Sequence, residues 1–380
     1  MIWFALIPTA LVGGFLLWAW RRIAVVPQWG RRWVPVTVGV GFALAFAAVF
    51  AGFDAYGGQF SPATMRPWVW VGMVFLPFCL YLFLGLLLGW LAAVMVYVVR
   101  WRSDKGVAAR RRLSRVVAPV AVVTAAAVTA YGVVRAADPV VTEHTVTVAG
   151  LPAELDGMRV AVITDLHAGA VRSADFTSLV VARTNAARPD LIVIVGDLVD
   201  GTAARYSPEI APLADLRAPL GVFATTGNHE MFRDTQGWLA AFEDVGLRVL
   251  RNESVRVRRG GAEFVLAGVH DLTGQGEYAP DPQAALAGVR PQETVLYLAH
   301  QPKQAFDVTG RGVDLQLSGH THGGQVWPGS LIVPLQQPVV SGYAVLGGVP
   351  TFTSRGAGAW GPPVRVGADP EVPVLTLRAS

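Results

Sequence analysis

The first third of the chain contains four long and almost uninterrupted apolar stretches. A helix needs about 20 mostly apolar residues to cross a bilayer, and each stretch is long enough. The third is longer than one crossing requires and predicts a single tilted helix, with Pro77 near its outer end. The stretches cover residues 2–20, 33–53, 68–99 and 116–134. This pattern predicts an α-helical membrane domain with four spans over residues 1–137.

Basic residues in the connecting loops predict how these spans are oriented. Arginines separate the first two stretches, a larger group of six arginines and Lys105 separates the last two, and the middle loop has only Arg66. By the positive-inside rule, the first and third loops are cytoplasmic. Four spans then leave the N-terminus and everything after residue 134 outside the cytoplasm. A cleaved signal peptide explains the first stretch less well, because no basic region precedes that stretch.

The spans contain no pattern typical of a transport pathway. Ionisable residues inside a spanning segment usually mark such a pathway. In these stretches the one candidate is Asp54, which lies at the edge of the second. We therefore interpret the membrane domain as an anchor or a docking surface and not as a transporter.

After residue 138 the pattern changes to short β-rich runs that alternate with helix-like segments and loops. Several runs are continuously apolar, which is typical of strands buried on both faces. The predicted strands cover residues 145–148, 159–163, 191–195, 222–225, 263–269, 294–298, 315–317, 343–346, 351–353 and 372–377, and the predicted helices cover residues 174–187 and 236–245. Residues 138–380 are therefore expected to form an α/β sandwich of two central β-sheets flanked by helices.

Charge divides the chain at the same place. Residues 1–137 hold 13 Lys and Arg against 2 Asp and Glu, whereas residues 138–380 hold 18 against 25. The positive charge therefore flanks apolar segments, and it does not indicate a nucleic-acid partner. The single cysteine, Cys79, excludes an intrachain disulfide and a cysteine metal cluster.

Five of the predicted strands end in side chains that can bind a metal ion. These strand ends carry Asp-Leu-His at 165–167, Gly-Asp at 196–197, Gly-Asn-His-Glu at 227–230, Ala-His at 299–300 and Gly-His-Thr-His at 319–322. In α/β folds, ligands gather at the carboxyl ends of strands. His, Asp and Asn without cysteine suit zinc, manganese, iron or magnesium. The ligands are numerous enough for two ions that share one carboxylate, a recurring arrangement in the hydrolysis of phosphate esters.

In this order, the motifs resemble the signature of calcineurin-like metallophosphoesterases. The resemblance covers roughly residues 145–380, and it is specific because all five motifs occur together. Three segments also resemble the bacterial membrane-associated branch that includes the YkuE and YaeI proteins. These segments are residues 196–201, 322–325 and 354–358. The predicted spans lie outside the resemblance.

The resemblance implies a role for each motif residue. The implied ligands of one divalent metal ion are Asp165, His167 and His322, those of a second are Asn228, His300 and His320, and the implied bridge between the ions is Asp197. A water or hydroxide between the ions would be the nucleophile. His229 would be the catalytic acid at the leaving group, with Glu230 or Asp200 to orient its ring. Arg355 is a candidate substrate clamp, because guanidinium matches phosphate bidentately; a surface arginine in a loop is an equally good interpretation.

The sequence thus predicts a phosphoesterase held in the cell membrane, with its catalytic domain outside the cytoplasm. Its expected partners are the lipid bilayer and a phosphodiester or pyrophosphate substrate, in a lipid-linked or envelope molecule. An alternative is a hydrolase of the UDP-2,3-diacylglucosamine type, although that substrate is made on the cytoplasmic side. An alternative from another class is a non-catalytic metal-binding receptor or scaffold. The complete ligand set and the presence of His229 argue against the scaffold.

Overall fold

A computed structural model describes residues 12–55, 61–99 and 104–379. The chain separates into two compact units. Helices near the N-terminus form the first unit, and residues from 134 onward form the body of the second.

The described part of the first unit is helical. Residues 12–20 form helix α1, which continues into a π-helical turn, and the other helices are α2 (Trp33–Ala55), α3 (Pro62–Val99) and α4 (Asp104–Ala136). Within the described residues, three helices are long and apolar enough to cross a membrane, at Trp33–Phe50, Pro62–Met95 and Gly106–Ala136. The structure therefore gives three candidate spans where four were predicted. Most of the predicted first span, residues 2–20, lies outside the described residues.

Helix α3 is a single helix of 38 residues, as predicted for the third stretch. Pro77 lies in its interior and not near an end. The difference arises because the helix begins before the apolar stretch does, at Pro62. Proline is well tolerated at the first position of a helix, where no intrahelical partner exists for a backbone N–H.

Two six-stranded β-sheets form the second unit. The strands are β1 (Val140–Val148), β2 (Arg159–Ile163), β3 (Leu191–Val195), β4 (Val222–Thr225), β5 (Arg248–Val249), β6 (Glu253–Arg259), β7 (Ala262–Gly268), β8 (Val295–Leu298), β9 (Leu315–Ser318), β10 (Gly342–Leu346), β11 (Val349–Thr353) and β12 (Glu371–Ala379). The first sheet has the order β1-β12-β2-β3-β4-β5, in which β2 to β5 are parallel. The second has the order β10-β11-β9-β8-β7-β6, in which β11, β9, β8 and β7 are parallel.

The main apolar core contains residues from both sheets. In strand β8, Leu296 and Leu298 belong to this core, whereas Val295 and Tyr297 belong to a second apolar cluster. Successive side chains of a strand point to opposite faces of its sheet, so a continuously apolar strand serves two cores. This burial on both faces explains why the runs read as unbroken apolar segments.

Shorter helices connect the strands. They are α5 (Ala174–Ala186), α6 (Ala203–Tyr206), α7 (Asn228–Met231), α8 (Thr235–Asp244) and α9 (Pro282–Ala285), with 3-10 segments that include His322–Gly324, Gly329–Leu331 and Val333–Leu335. Asp234 caps α8, since its carboxylate accepts the N–H of Gly237 at 3.2 Å. The predicted two-sheet α/β architecture is confirmed, and both predicted helices are present.

Every predicted strand overlaps an observed one, and two observed strands were missed. Strand β5 has only two residues, too few to form a pattern. Strand β6 alternates valine with arginine over residues 255–258. The structure pairs the whole strand antiparallel with β7. Such alternation is typical of an antiparallel strand with one face in water.

Candidate metal centre

The structure brings all seven predicted metal ligands together. They follow five strands: Asp165 and His167 come after β2, Asp197 after β3, Asn228 after β4, His300 after β8, and His320 and His322 after β9. Six of them form groups in which the candidate ligand atoms all lie within 4.8 Å of one another. The seventh, Asn228, places its Oδ1 atom 2.9 Å from Nδ1 of His320. Parallel strands place their carboxyl ends at one edge, which is why residues far apart in sequence meet here.

The first group consists of Asp165, His167 and His322. The Nε2 atoms of the two histidines lie 3.1 Å apart, and Nε2 of His322 lies 3.2 Å from Oδ1 of Asp165. All three side chains are buried. Two imidazole nitrogens and a carboxylate oxygen that converge in this way form a mixed site suited to a divalent transition metal.

The second group consists of Asp197, His300 and His320, with Asn228 beside them. His300 is fully buried, and its Nε2 atom lies 3.2 Å from Oδ2 of Asp197 without the geometry of a hydrogen bond. A buried polar atom without a partner is costly, on the order of 1–3 kcal/mol. A metal ion would satisfy this nitrogen, so the residues present fit a divalent metal.

Asp197 lies between the two groups. Its Oδ2 atom is 3.2 Å from Nε2 of His300 and 3.8 Å from Nε2 of His167. Burial opposes ionisation of this carboxyl, but the neighbouring charges of His300 and His229 outweigh burial and hold its pKa well below the usual range. The carboxylate that lies between the two groups therefore carries a negative charge.

Hydrogen bonds at Nδ1 direct two of the histidines toward a metal. Nδ1 of His167 lies 3.1 Å from Oδ1 of Asp200, and Nδ1 of His300 lies 2.8 Å from the carbonyl oxygen of Val195. With Nδ1–H donating to these oxygens, Nε2 of each neutral ring is the atom that a metal ion would bind. Metal-binding histidines are commonly oriented by partners of this kind.

Arg365 supports the loop that carries His322. It is fully buried, and it donates to the carbonyl oxygen of His322 at 2.6 Å and to that of Gly358 at 2.7 Å. One of its nitrogens also lies 3.2 Å from Nδ1 of His322. Burial lowers the pKa of Arg365 to about 9. The guanidinium thus joins the loop after β9 to the loop that follows β11.

Five of the seven predicted ligands have a left-handed backbone. The φ angles are 55° at Asp165, 51° at His167, 52° at Asp197, 71° at His320 and 51° at His322. Each such residue costs roughly 1–3 kcal/mol when it is not glycine. Strain of this size persists where the surrounding structure requires it, and it is concentrated at functional sites.

Two glycines allow the loops after β3 and β4 to approach each other. A Cβ atom on Gly227 would lie 2.2 Å from Oδ1 of Asp197, and one on Gly196 would lie 2.3 Å from the backbone nitrogen of Gly227. Real Cβ atoms do not come so close to other atoms. The glycines in the Gly-Asp and Gly-Asn-His-Glu motifs are therefore required by the close approach of the two backbones.

His229 forms a third group of this kind with His167 and Asp197, and its ring is held by Asp200. Its Nδ1 atom is 2.6 Å from Oδ1 of Asp200, the same oxygen that contacts His167. Burial lowers the pKa of His229, but the charge of Asp197 and the hydrogen bond to Asp200 outweigh burial and raise it to about 9. Of the two acids that the sequence offered to orient this ring, the structure places Asp200 against it.

Glu230 has a different position. Its carboxylate accepts the backbone N–H groups of Gly227 at 2.6 Å, Leu198 at 2.8 Å and Asp197 at 2.9 Å. Burial and the charge of Asp197 raise the pKa of Glu230 to about 7. Glu230 therefore holds the two loops that carry Asp197 and Asn228.

A cavity of about 540 Å³ opens beside these residues. Its lining includes Asp197, Asn228, His229, His320 and His322. This volume lies in the range of ordinary ligand pockets.

Arg355 does not line the cavity. Its guanidinium lies 2.5 Å from a carboxylate oxygen of Glu371, which is buried. The substrate-binding role of Arg355 stays a prediction.

Sequence reasoning missed three residues near the site. Arg365 contacts His322, and the rings of Phe232 and Trp360 have their centroids 5.0 Å and 6.5 Å from that of His229. The one signal for Trp360 was its position two residues after the 354–358 segment. Nothing local marked the other two, because their position depends on loops that meet only in the folded chain.

Comparisons with known proteins agree with this geometry. Residues 158–324 match the family model described as calcineurin-like phosphoesterase. A transmembrane protein with metallophosphoesterase domain from Bos taurus is 32% identical over 74% of this chain and 68% of its own length, and its counterpart from Danio rerio is 31% identical over 68% and 62%. The metallophosphoesterase YkuE of Bacillus subtilis is 31% identical over 66% of this chain and 90% of its own.

The fold and the site thus define a metal-dependent phosphoester hydrolase. The chain belongs to the calcineurin-like metallophosphoesterase family. Its apolar helices and its relatives that are named transmembrane proteins indicate a membrane protein. The chain spans 62–68% of the length of the two vertebrate relatives.

Proposed function

We propose that the chain is a membrane-anchored phosphoesterase with a dinuclear metal centre, which hydrolyses a phosphodiester or pyrophosphate bond in a lipid-linked or envelope molecule. The observation that carries this proposal is the position of Asp197. One carboxylate oxygen lies 3.2 Å from a histidine of one ligand group and 3.8 Å from a histidine of the other. A carboxylate placed between two nitrogen-rich groups is suited to bridge two cations.

The ligand groups divide the seven residues between two ions. One ion would take Asp165, His167 and His322, the other would take Asn228, His300 and His320, and both would share Asp197. Two bound divalent cations, of manganese, iron, zinc or magnesium, would lower the pKa of a water molecule and neutralise charge on the phosphoryl oxygens.

The remaining chemistry belongs to His229 and Asp200. The imidazole of His229 lines the cavity, and its Nδ1–H donates to Asp200, so that Nε2 is the atom available to the substrate. A protonated Nε2 donates its proton to the leaving-group oxygen as the ester bond breaks. Asp200 also contacts His167, and thus a single carboxylate sets the orientation of a ligand and of the acid.

The proposed location follows from the helices. The three candidate spans, together with the predicted first span, would leave residues after 134 outside the cytoplasm. The arginine-rich loops support this orientation through the positive-inside rule. A catalytic domain tethered there would work close to lipid head groups.

The function is tested by a hydrolysis screen of the full-length protein, purified in detergent and stripped of metal. Phosphomonoesters, phosphodiesters and nucleotide-sugar pyrophosphates are offered with each candidate metal added back. We expect diester or pyrophosphate hydrolysis that depends on added metal and is absent in Asp197→Ala. Asp175→Ala, which changes an exposed acid on α5, is the matched control. Strong metal binding without hydrolysis of any ester would favour the scaffold interpretation.

A further inference from the structure

One side of the cavity beside the metal ligands is apolar. It is formed by six residues from three separate segments, which we call the apolar wall: Phe232, Val326, Ile332, Val333, Trp360 and Pro362. Phe232, Ile332 and Trp360 are 59%, 58% and 60% exposed. Large apolar side chains that remain exposed together beside a site indicate a binding surface.

Away from the metal ligands and His229, the lining that the structure describes offers no cationic side chain that would hold additional phosphate groups. Among the described residues that line the cavity there is no lysine or arginine. Nucleotides and additional phosphate groups are usually held by such side chains. Two lining glutamines are already engaged: the amide of Gln325 donates to the carbonyl oxygen of Trp360 at 3.0 Å, and that of Gln337 donates to Gln301 at 2.8 Å.

The two sides of the cavity therefore suit the two ends of an amphiphile. Phe232 and Trp360 of the apolar wall have ring centroids 5.0 Å and 6.5 Å from that of His229, so an occupant of the wall lies next to the reacting phosphate. The chain also has helices that can cross a membrane, which brings lipid-like molecules within its reach. We propose that the apolar wall binds the hydrocarbon chain of an amphiphilic phosphate ester. This proposal rests on the proposed function and narrows its substrate to an ester whose hydrocarbon chain binds beside the metal ligands.

Ile332 and Leu335 provide a matched pair of variants. Ile332 belongs to the wall but makes no ring contact with His229, unlike Phe232 and Trp360. Leu335 lies three residues further along the same loop, is 82% exposed, and does not line the cavity. Ile332→Ser removes apolar surface from the wall, and Leu335→Ser removes a similar surface just outside it.

The experiment uses full-length protein in nanodiscs of one lipid composition. The substrates are p-nitrophenyl alkyl phosphodiesters with alkyl chains from C2 to C12, so the leaving group stays constant. We expect kcat/KM to rise with chain length in the wild type, by at most about fourfold for each buried CH₂. Ile332→Ser should lose about tenfold on the C12 ester and much less on the C2 ester, whereas Leu335→Ser should keep the wild-type dependence on chain length.

The possible outcomes distinguish a failure of the apolar-wall proposal from a failure of the proposed function. If the C2 ester is hydrolysed but kcat/KM does not rise with chain length, the apolar wall does not bind the hydrocarbon chain. The proposed function would still stand. Equal losses of kcat/KM on the C12 ester in Leu335→Ser and Ile332→Ser would show that the loop binds the bilayer surface. That result would also contradict the proposal that the apolar wall binds the substrate. If no ester is hydrolysed, the affinities for ethylphosphonate and dodecylphosphonate are measured by calorimetry. Equal affinities for the two, or an affinity for dodecylphosphonate that Ile332→Ser does not change, would contradict the proposal.

Discussion

The two units of this protein place apolar residues in opposite ways. In the helical unit, large apolar side chains such as Leu44, Leu88 and Val123 face outward. In the β-sheet unit, the apolar side chains fill the interior, and buried acids and imidazoles lie at the strand ends. The first arrangement suits a surrounding of lipid, in which apolar surface costs nothing. The second concentrates buried polar groups at one place, where a ligand or a reaction must compensate the cost of burial.

The two units also differ in where their exposed apolar residues lie. Along the helices, exposure is spread over the whole segment. In the β-sheet unit, part of it is gathered beside the predicted metal ligands, at Phe232, Ile332 and Trp360. Exposure on the helices needs only a bilayer to explain it, whereas exposure beside a cavity indicates a specific ligand.

The largest expected effect concerns the side of the membrane on which the β-sheet unit lies, which the charged loops predict. Alkaline phosphatase fused after Ser380 should be active, and GFP fused there should be dark, because four spans place the C-terminus outside the cytoplasm. Fusions truncated after Arg102, in the third loop, should give the opposite readings. Bright GFP after Ser380 would mean an odd number of spans and a cytoplasmic catalytic domain.

The next effect tests the buried carboxylate that lies between the two ligand groups. Asp197→Ala should lose all bound metal and lower kcat/KM by about 10³-fold or more, equivalent to about 4 kcal/mol of barrier. Metal content is measured by elemental analysis, and circular dichroism checks that the fold is kept. Full metal content in this variant would contradict the bridging role.

A further effect tests whether His229 acts on the leaving group and not as a metal ligand. His229→Ala should keep its metal and lose about 10²–10⁴-fold on esters with an alkoxide leaving group. It should lose little with nitrophenolate, which leaves without a proton. His300→Ala is the control, since it removes a metal ligand and should damage both reactions equally. Equal losses in His229→Ala with metal intact would rule out the leaving-group role.

The smallest effect tests the partner of His229. Asp200→Asn removes a negative charge that raises the pKa of His229, so this pKa falls and the acid loses its proton at lower pH. The alkaline fall in kcat for alkoxide substrates should shift to lower pH, with a loss of about 10–100-fold. Asp175→Asn should leave the profile in place. An unshifted profile in Asp200→Asn would show that Asp200 does not control the acid.

Much of the site could be predicted from sequence because its motifs are local. Each ligand follows an apolar run that reads as a strand, and parallel strands bring their carboxyl ends together. The acid that faces His229 could not be predicted in this way. Asp200 and Glu230 are both close to motif residues in sequence, and only the path of the loops turns one toward the imidazole and the other toward backbone N–H groups.

The sequence by itself determined the apolar helices, the two-sheet architecture and the set of candidate ligands, since these depend on periodicity and on short motifs. The tertiary structure decided what arises where distant loops meet. It placed Arg365 against His322, directed Arg355 to Glu371, and joined residues 232, 326–333 and 360–362 into one apolar wall. Local patterns fix which residues enter a strand or a helix. The packing of whole segments fixes which loops touch, and no local pattern carries that information.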